Sequence, residues 1–494
     1  MHRPSTTGPA AAAISTWPGA AFSTAPMAAL VAALVAALVL ALPGPALALF
    51  SEISVMDENE MGREFDKQIR QMVPMEEDPV INDYVKGVVD RVYEAMPPQP
   101  FRVTTAVIRN QSLNAFAVPG GYVYVFTGLL AQLETEDQLA AVIGHELGHV
   151  SQRHVIDRMS KMESVGYLSL LGTLAGFVIG TTGNSNTSEM GQALVVGSQA
   201  AGAAAYLTYT QENERQADHV GLQYLVAAGY NPWGMPQTFD IMGKNQFRGR
   251  SSKLPGYLRT HPQTSERSAY LSDRIKNMDE DVRSRKDTTE KFLRVRAVIR
   301  GRMSDPVWAE ATLAAIPEEK RICVDHMALG MAQARLKKTA DARASFERAL
   351  GCGAADPLVL REAGSYYFKE GDFDRARQYL QKALVMNPRD IYALYYNARL
   401  LGEQGEYPEA IKYMNKVREQ LKTDAEVHYH LGRYLGASGD LFHAHLHLAY
   451  AGVYGNDPKQ AQFHTKKAEA LADTPDKQAE LEELRQTRAP KPEE

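Results

Sequence analysis

Two histidines with a glutamate between them make up the stretch with the clearest chemical character, His145-Glu146-Leu147-Gly148-His149. Residues four apart on an α-helix lie one turn from each other on the same face, so both imidazoles are able to bind one metal ion. Glu146 is rotated off that face and is placed to contact a water molecule instead. The spacing predicts a site for one Zn2+ per chain, with Glu146 as the catalytic base.

The chemistry expected of such a site is hydrolysis of a peptide bond. Zinc lowers the pKa of a bound water from about 15.7 to about 7. Glu146 then takes the proton of that water as it attacks the carbonyl, and returns it to the leaving amine. The alternative is a chance match, since three fixed letters in five recur in long proteins. Against chance, the motif lies in a strongly apolar helix, where unpartnered ionisable groups are costly.

The third metal ligand is not fixed by this motif. A zinc-peptidase class with a third histidine would place it at position 155 with a glycine at 152, but these positions hold Val155 and Gln152, so that class is excluded. His154 lies well round the helix and is expected to be a polar surface residue or a hydrogen-bond partner of a ligand. A glutamate on a later helix remains, and the candidates are Glu189, Glu212 and Glu214.

One of these candidates lies in a notable pattern, Glu214-Arg215-Gln216-Ala217-Asp218. Glu214 and Asp218 share a helix face, and the small Ala217 between them permits a close approach of another helix. Asp218 is able to accept a hydrogen bond from a ligand imidazole and so to orient it. A solvated helix face is the alternative interpretation of this polar stretch.

The elements around the motif predict a mostly helical fold with a small sheet. Helices are expected over Glu52 to Met72 and over Pro79 to Met96, and strands over Phe101 to Val107 and Gly121 to Phe126. Thr135 and Gln138 have the spacing of a capping box at the start of the motif helix. Ser164 to Gly180 is apolar and rich in glycine. It is interpreted as a soluble hairpin near the site, with a membrane-dipping hairpin as the alternative.

The last 200 residues repeat with a period of 34, with Cys323, Pro357, Ile391 and Ala425 as equivalent first positions. Position 8 is glycine or alanine in every copy, position 20 is always alanine, and position 24 is Phe346, Leu380, Met414 and Leu448. This pattern resembles the tetratricopeptide repeat and predicts an all-α solenoid. Cys323 and Cys352 fall at neighbouring ends of one antiparallel helix pair, so a disulfide is expected, with two unpaired small residues as the alternative.

The N-terminus predicts export. Ala28 to Leu42 is uncharged and apolar, and Ala46-Leu47-Ala48 follows it, which is typical of a signal peptide; an uncleaved anchor is the alternative. The expected organisation is a signal peptide over 1–48, a metallopeptidase domain over 49–285 and a repeat domain over 286–490. The formal net charge of −5 gives no indication of nucleic-acid binding.

The metal motif, the Glu214 stretch and the apolar helix after it together resemble the HtpX-type gluzincin peptidases, which are relatives of the prenyl-protein proteases. The resemblance implies that Glu214 is the third zinc ligand and that Asp218 supports the site. It also extends to two further stretches, Asn114-Ala115-Phe116-Ala117 and His261-Pro262 with Arg267. Asn114, Ala115 and Phe116 are expected to offer a strand edge to an extended peptide. His261 is expected to polarise the substrate carbonyl or to occupy the fourth metal position.

With export and the repeats, the resemblance implies a periplasmic endopeptidase that removes misfolded or misassembled envelope proteins. Its expected partners are polypeptides, above all outer-membrane β-barrel proteins, and the outer-membrane barrel-assembly machinery, with an association at the membrane surface as a further expectation. One rival is a chaperone or scaffold for barrel assembly that acts through the repeats while the peptidase is latent. Another is an integral membrane protease, which would need several long spans.

Overall fold

The computed structural model describes residues 53–160, 209–248, 257, 261 and 264–487. The expected signal peptide, the glycine-rich segment from 164 to 180 and Glu189 lie outside these residues. In the part of the chain that is described, no helix is long and apolar enough to cross a membrane.

Two amphipathic helices open the described chain. Helix α1, Val55–Met72, begins at Ser54, whose side chain forms a reciprocal capping box with Asp57. Helix α2, Pro79–Glu94, begins at Asp78, whose carboxylate accepts a hydrogen bond from the Val80 N–H. A proline at the first helical position suits this start because it has no N–H to satisfy. Both helices agree with the sequence prediction.

Three short strands form the small sheet in the order β1-β3-β2, where β1 is Thr104–Ile108, β2 is Ala115–Val118 and β3 is Tyr122–Phe126. β1 runs parallel to β3, and β2 runs antiparallel to it. The turn from β2 to β3 contains Gly120 and Gly121, both at positive φ, a conformation that glycine adopts without steric cost. β2 therefore lies at one edge of the sheet.

The motif helix lies at the centre of the N-terminal part. After the short helix α3, Thr127–Gln132, comes α4, Glu136–Ser151, in which every residue through Val150 is buried. The Thr135 hydroxyl caps α4 by accepting from the Gln138 N–H at 3.2 Å. The Gln138 side chain, however, accepts from the Glu134 N–H and not from that of Thr135, so the expected capping box is only half formed.

Small residues bring α4 against helix α6, Gln211–Ala227, which follows α5, His154–Ser160. A Cβ atom built on Gly144 would lie 3.0 Å from the Gly221 carbonyl oxygen, and one built on Gly221 would lie 2.9 Å from that of Gly144. Gly148 is equally close to Ala217, at 2.8 Å from its carbonyl oxygen. The two backbones are thus in direct contact beside the motif.

Between α6 and the repeats, the described residues form five further helices: α7, Gly234–Arg248; α8, Thr264–Lys276; α9, Glu280–Arg283; α10, Glu290–Arg302; and α11, Pro306–Ala314. Helix α10 packs on both sides, since Phe292 and Val298 belong to one continuous hydrophobic core with α2, α4 and the first repeats. The repeats therefore share buried surface with the N-terminal part.

The repeats are four antiparallel helix pairs, each starting 34 residues after the one before: α12, Cys323–Arg335, with α13, Thr339–Cys352; α14, Pro357–Lys369, with α15, Phe373–Met386; α16, Ile391–Glu403, with α17, Tyr407–Gln420; and α18, Ala425–Ala437, with α19, Leu441–Tyr454. Helices α20, Pro458–Glu469, and α21, Pro475–Gln486, follow. A Cβ atom on Gly330, Gly364 or Gly432 would lie 2.7–2.8 Å from the position-24 side chain of its own pair. The predicted register is confirmed.

A disulfide joins the two ends of the first helix pair. Cys323 begins α12 and Cys352 ends α13, and their Cα atoms lie 5.7 Å apart. The pairing expected from the positions of the two cysteines is present.

Candidate metal centre

The two histidines of the motif face each other on consecutive turns of α4. The Nε2 atoms of His145 and His149 lie 3.0 Å apart, and each side chain is 1% exposed. The preceding α4 turn is apolar and buried, so both rings lie in the interior of the fold. Two imidazole nitrogens at this spacing are suited to bind one ion once both are deprotonated.

Helix α6 adds a carboxylate to this pair. Glu214 lies with Oε1 at 3.4 Å from His149 Nε2 and Oε2 at 3.5 Å from His145 Nε2. Glu212, two residues earlier, is exposed and accepts a hydrogen bond from Gln216 instead. Of the two candidates that the structure describes, it brings Glu214 to the histidines and leaves Glu212 in solvent.

His261 completes a buried group of four. Its Nδ1 lies 2.8 Å from Glu214 Oε1 and 3.3 Å from His145 Nε2, and its ring is stacked between Tyr209 and Tyr257. One ligand atom from each of His145, His149, Glu214 and His261 lies within 4.8 Å of all the others. Helix α4 supplies two of the four side chains, helix α6 supplies the carboxylate, and His261 comes from a later part of the chain. This set fits the nitrogen and oxygen ligands that zinc prefers.

Asp218 and Arg267 surround the carboxylate and the first histidine. Asp218 Oδ1 lies 2.9 Å from His145 Nδ1, the distance of a hydrogen bond that orients the ring. Arg267, on α8, donates from Nη2 and Nε to both Asp218 oxygens at 2.7 and 2.8 Å, and it also donates to Glu214. Tyr270 donates to the same aspartate. These contacts fix the positions of Asp218 and Glu214.

The second histidine has its own supporting partner. His149 Nδ1 lies 3.0 Å from His154 Nδ1, and His154 Nε2 lies 3.0 Å from Gln216 Oε1. Since an amide oxygen only accepts, His154 donates from Nε2 to Gln216, and its Nδ1 accepts a hydrogen bond from the Nδ1–H of His149. His154 is therefore the hydrogen-bond partner of a candidate ligand, the second of the two positions considered for it.

Glu146 lies beside the group without joining it. Its carboxylate is 1% exposed, its Oε1 has no hydrogen-bond partner among the described residues, and that oxygen lies 3.6 Å from His261 Nε2. Burial raises the pKa of Glu146, although His261, His145 and the backbone of Ala117 partly offset this effect. A buried carboxylate with a free oxygen and an increased proton affinity is suited to act as a general base.

The charge states of the other members follow from their surroundings. Burial lowers the pKa of His149 well below its ordinary value. Burial also lowers that of His145, but its hydrogen bonds to Asp218 and Glu214 outweigh this and raise the pKa to about 9. Burial raises the pKa of Glu214, but His261 and Arg267 outweigh it and hold the carboxyl well below its ordinary range. A proton and a metal ion therefore compete for His145.

The stretch expected to contact substrate lies next to the motif helix. Ala115 and Phe116 are in the edge strand β2, which packs on α4, and Asn114 directly precedes it. Asn114 is 4% exposed, and its side-chain oxygen has no hydrogen-bond partner within the described ranges. The Phe116 ring stacks on Tyr124 at 4.8 Å, so this side chain contributes to the core of the sheet as well.

From the sequence, no role was assigned to Arg267, and no contact of Tyr209 or Tyr257 with the site was predicted. The signal for Arg267 was present in its fixed distance from His261-Pro262, but its partners Glu214 and Asp218 lie about fifty residues away in the chain. Tyr209 stacks on His149 with ring centroids 3.6 Å apart, and a lone tyrosine before a helix carries no pattern that predicts this contact.

Comparison with known proteins shows which class of protein this fold and this buried group resemble. Residues 75–275 match the model of Peptidase family M48, and residues 367–434 match that of a tetratricopeptide repeat. The two matches follow each other along the chain in the order that the sequence resemblance implied, a peptidase segment and then tetratricopeptide repeats. The matched peptidase segment includes all four residues of the buried group.

The relatives have names that agree with this class. The beta-barrel assembly-enhancing protease of Escherichia coli (strain K12) is 30% identical over 237 residues, which are 48% of this chain and 47% of that protein. Metalloprotease LoiP of the same organism is 30% identical over 35% of this chain and 63% of its own length. The mitochondrial metalloendopeptidase OMA1 of Arabidopsis thaliana is 33% identical over 34% and 30%, respectively. The chain spans about half the length of the first of these relatives.

Proposed function

We propose that this chain is a zinc-dependent endopeptidase. The observation that carries the proposal is the buried group of His145, His149 and Glu214, with the unpartnered Glu146 carboxylate directly beside it. Two imidazoles and a carboxylate are the protein ligands of a known class of catalytic zinc sites, and a fourth position is open to exchange. When bound, zinc supplies Lewis-acid activation of water and of the peptide carbonyl.

Residues of the chain provide proton transfer, orientation of the ligands and charge compensation. Glu146 Oε1 accepts a proton from the attacking water and passes it to the leaving amine nitrogen, which its raised pKa favours. Asp218 orients His145 through Nδ1, and Arg267 offsets the charge of two buried carboxylates. His154 orients His149 in the same way. In the absence of Arg267, Glu214 and Asp218 would be left as buried charges with only the histidines to offset them.

The substrate of this site is an extended polypeptide. β2 is an edge strand next to α4, so a peptide that adds to its edge would pass the motif helix. The backbone of Ala117 in β2 is hydrogen-bonded to Glu146, which links the strand edge to the base. Asn114, Ala115 and Phe116 are assigned to this subsite.

The biological role that we propose is quality control of envelope proteins in the periplasm, with misassembled outer-membrane β-barrel proteins as clients. Support comes from the similarity to the beta-barrel assembly-enhancing protease over the peptidase segment and from the repeats, which commonly bind proteins. The repeats are assigned to contact the client or the barrel-assembly machinery.

Glu146→Gln tests the enzymatic part of the proposal. An amide has nearly the same shape as the carboxylate but does not accept the proton, so cleavage of an unfolded protein such as casein is expected to fall by at least about a hundredfold. Zinc content, measured by mass spectrometry of the purified protein, is expected to stay at one per chain. Undiminished cleavage by this variant would refute Glu146 as the base.

A second candidate function is that of a chaperone or scaffold for barrel assembly with a latent peptidase. The observation that favours it is the position of His261, whose imidazole lies within the ligand group, where it is able to occupy the fourth metal position. If Glu146→Gln supports assembly of outer-membrane proteins in cells as well as the native chain does, the scaffold role is the main one.

A further inference from the structure

A cavity of about 300 Å³ lies between the first helices of the first three helix pairs. Its lining comes from α12, α14 and α16 and from α10, the helix that packs between the repeats and the peptidase part. The proposed peptide hydrolysis uses none of the lining residues. A cavity of this volume is at the small end of the range of ligand pockets, so it takes one or two residues of a polypeptide and not a long segment.

Two of the cations that line this cavity are already paired. Arg302 and Arg361 both contact the carboxylates of Asp78 and Glu362. Asp78 is the N-cap of α2, so the cavity lies where the repeats meet the peptidase part. These two arginines hold the structure together and have no unbalanced charge to offer a ligand.

Three other lining cations, Arg335, Lys337 and Lys369, are exposed, and none forms an ion pair with a carboxylate of the described residues. Arg335 donates from Nη1 to two carbonyl oxygens near the end of α10, at 2.7 and 3.2 Å. Lys369 lies 5.3 Å from the centroid of the Tyr396 ring. Apart from the paired Glu362, the lining contains one carboxylate, that of Glu370. The exposed part of the cavity therefore favours an anion.

The repeat register places two of these cations at one cavity. Arg335 ends α12 and Lys369 ends α14, and the two positions are 34 residues apart. Successive repeats therefore each supply a cation at the same position of the first helix, and both side chains line the same space.

The remaining lining is largely aromatic. Met331, Phe346 and Tyr366 come from the first two helix pairs, and the rings of Phe346 and Tyr366 stack with centroids 4.5 Å apart. Tyr392 and Tyr396 come from α16. Such rings offer a large apolar contact area. The cavity thus combines an apolar surface with unpaired positive charge.

We propose that this cavity binds the C-terminal residue of a polypeptide. Arginine and lysine bind a carboxylate through charge-assisted hydrogen bonds, and an apolar side chain suits the aromatic lining. An internal aspartate or glutamate supplies only the carboxylate. The last residue of a chain carries a carboxylate and a side chain on the same Cα atom, so an apolar or aromatic C-terminal residue satisfies both parts of the cavity.

A polypeptide held in this way is anchored beside the peptidase part, with its preceding residues free to reach the candidate metal centre. That such a polypeptide is a substrate rests on the proposed function, whereas the binding itself does not require peptidase activity. Binding is therefore measured in the full chain with Glu146→Gln, which leaves the peptide intact. Cleavage by the native chain is a separate measurement, so a failure of one proposal is distinguishable from a failure of the other.

Matched peptides test recognition of the chain end. The probe is a short Gly-Ser peptide that ends in Phe and carries fluorescein at its N-terminus, and its Kd is obtained by fluorescence anisotropy. The peptide with a free carboxylate is expected to bind at least about tenfold more tightly than the same peptide with a C-terminal amide, because hydrogen bonds to a charged group are strong. Equal affinity for the acid and the amide would overturn the proposal.

Two further peptides separate the two parts of the cavity. Replacement of the last Phe by Ser is expected to weaken binding of the free acid by about tenfold, through loss of apolar contact. An amidated peptide with Glu before the Phe supplies an internal carboxylate and is expected to bind no better than the plain amide. If it binds as tightly as the free acid, or if the Ser peptide binds as tightly as the Phe peptide, a C-terminal residue is not what the cavity recognises.

A pair of lysine variants assigns the binding to this cavity. Lys369→Gln is expected to weaken binding of the free acid several-fold and to leave binding of the amide unchanged. The control is Lys382→Gln on α15, another exposed lysine that lies over a tyrosine ring, Tyr379 at 6.0 Å, but outside the cavity. Both variants change exposed side chains and are expected to keep the helical circular-dichroism signal. Unchanged affinity in Lys369→Gln, or a loss confined to Lys382→Gln, would refute the location.

Discussion

At the residue scale, Arg267 offsets the charges of the two carboxylates that are buried in the candidate metal centre. It is 3% exposed and donates to both Glu214 and Asp218. His145 contacts Asp218 Oδ1, and His149 contacts Glu214 Oε1. A buried charge without a partner costs several kcal/mol. Arg267 therefore holds both carboxylates ionised in a pocket that would otherwise favour their neutral forms, and an ionised Glu214 is the form that binds a metal.

The identity of the third ligand is open to a direct test by paired variants. Glu214→Ala removes a side chain that contacts both motif histidines, so zinc is expected to fall from one per chain to a small fraction of that value after dialysis. Glu212→Ala, two residues away on the same helix, removes an exposed side chain and is expected to keep its zinc. Equal metal content in the two variants would show that Glu214 is not a ligand.

His261 permits a test of latency. Its imidazole lies 2.8 Å from Glu214 Oε1 and 3.6 Å from Glu146 Oε1. The latency hypothesis places it where a substrate carbonyl would have to bind. His261→Ala is expected to raise the rate of casein cleavage and leave zinc content unchanged. If His261 instead polarises the substrate carbonyl, the same variant is expected to cleave every substrate more slowly. A rate equal to that of the native chain would remove His261 from both roles.

At the scale of elements, the position of Glu214 relative to the motif depends on the contact between α4 and α6. Gly221→Ala would place a Cβ atom 2.9 Å from the Gly144 carbonyl oxygen, which belongs to the buried backbone of α4. We expect a loss of about 1–3 kcal/mol in the free energy of unfolding and a lower zinc affinity, because overpacking separates the two ligand helices.

A matched glycine on a surface helix serves as the control. Nothing lies within 4 Å of a Cβ atom built on Gly87 in α2, so Gly87→Ala is expected to stabilise the chain by about 0.5–1 kcal/mol through its helix propensity. Thermal unfolding and metal analysis of both variants provide the measurement. Similar stability changes in the two would show that the α4–α6 contact does not constrain the site.

Some elements were predictable from local pattern and others were not. The repeats were found in register because Gly330 and its equivalents recur every 34 residues, each against its position-24 partner. The start of α4 was predictable from Thr135. The Gln138 side chain, however, accepts from the Glu134 N–H and not from the Thr135 N–H, and helix capping rules do not distinguish these two partners. The position of His261 depends on the ring stacking of Tyr257 and Tyr209, which no periodicity encodes.

At the scale of the whole molecule, a buried ion cluster joins the peptidase part to the repeats. Arg361 on α14 is 1% exposed and donates to Asp78, the N-cap of α2, at 3.0 Å and to Glu362 at 2.7 Å. Arg302 on α10 contacts the same two carboxylates, and Asp390 lies 3.4 Å from Arg361. Asp78 and Arg361 are 283 residues apart in the chain, so no local pattern indicated that they meet.

This cluster fixes the repeats relative to the candidate active site, and Arg361→Ala tests that role. Removal of one partner leaves Asp78 and Glu362 as buried charges with Arg302 alone, so the free energy of unfolding is expected to fall by about 3–5 kcal/mol. Arg348→Ala removes an exposed arginine whose ion pair with Glu318 is long, at 3.6 Å, and is expected to change stability by less than about 0.5 kcal/mol. Equal unfolding midpoints in urea for the two variants would contradict the role of the cluster.

The cluster also predicts how stability depends on pH. Burial raises the pKa of Asp78 and Glu362, but Arg361 and Arg302 outweigh it and hold both carboxyls below their ordinary values of 3.8 and 4.5. Because the folded-state pKa is the lower one, the stabilisation is complete at neutral pH and is lost as the pH falls below about 4 toward the folded-state values. Unfolding of the native chain is therefore expected to become easier with acid, and Arg361→Ala is expected to flatten that dependence. A variant whose acid dependence parallels that of the native chain would show that other carboxylates control it, and that the repeats are held on the peptidase part by the apolar contacts of α10 instead.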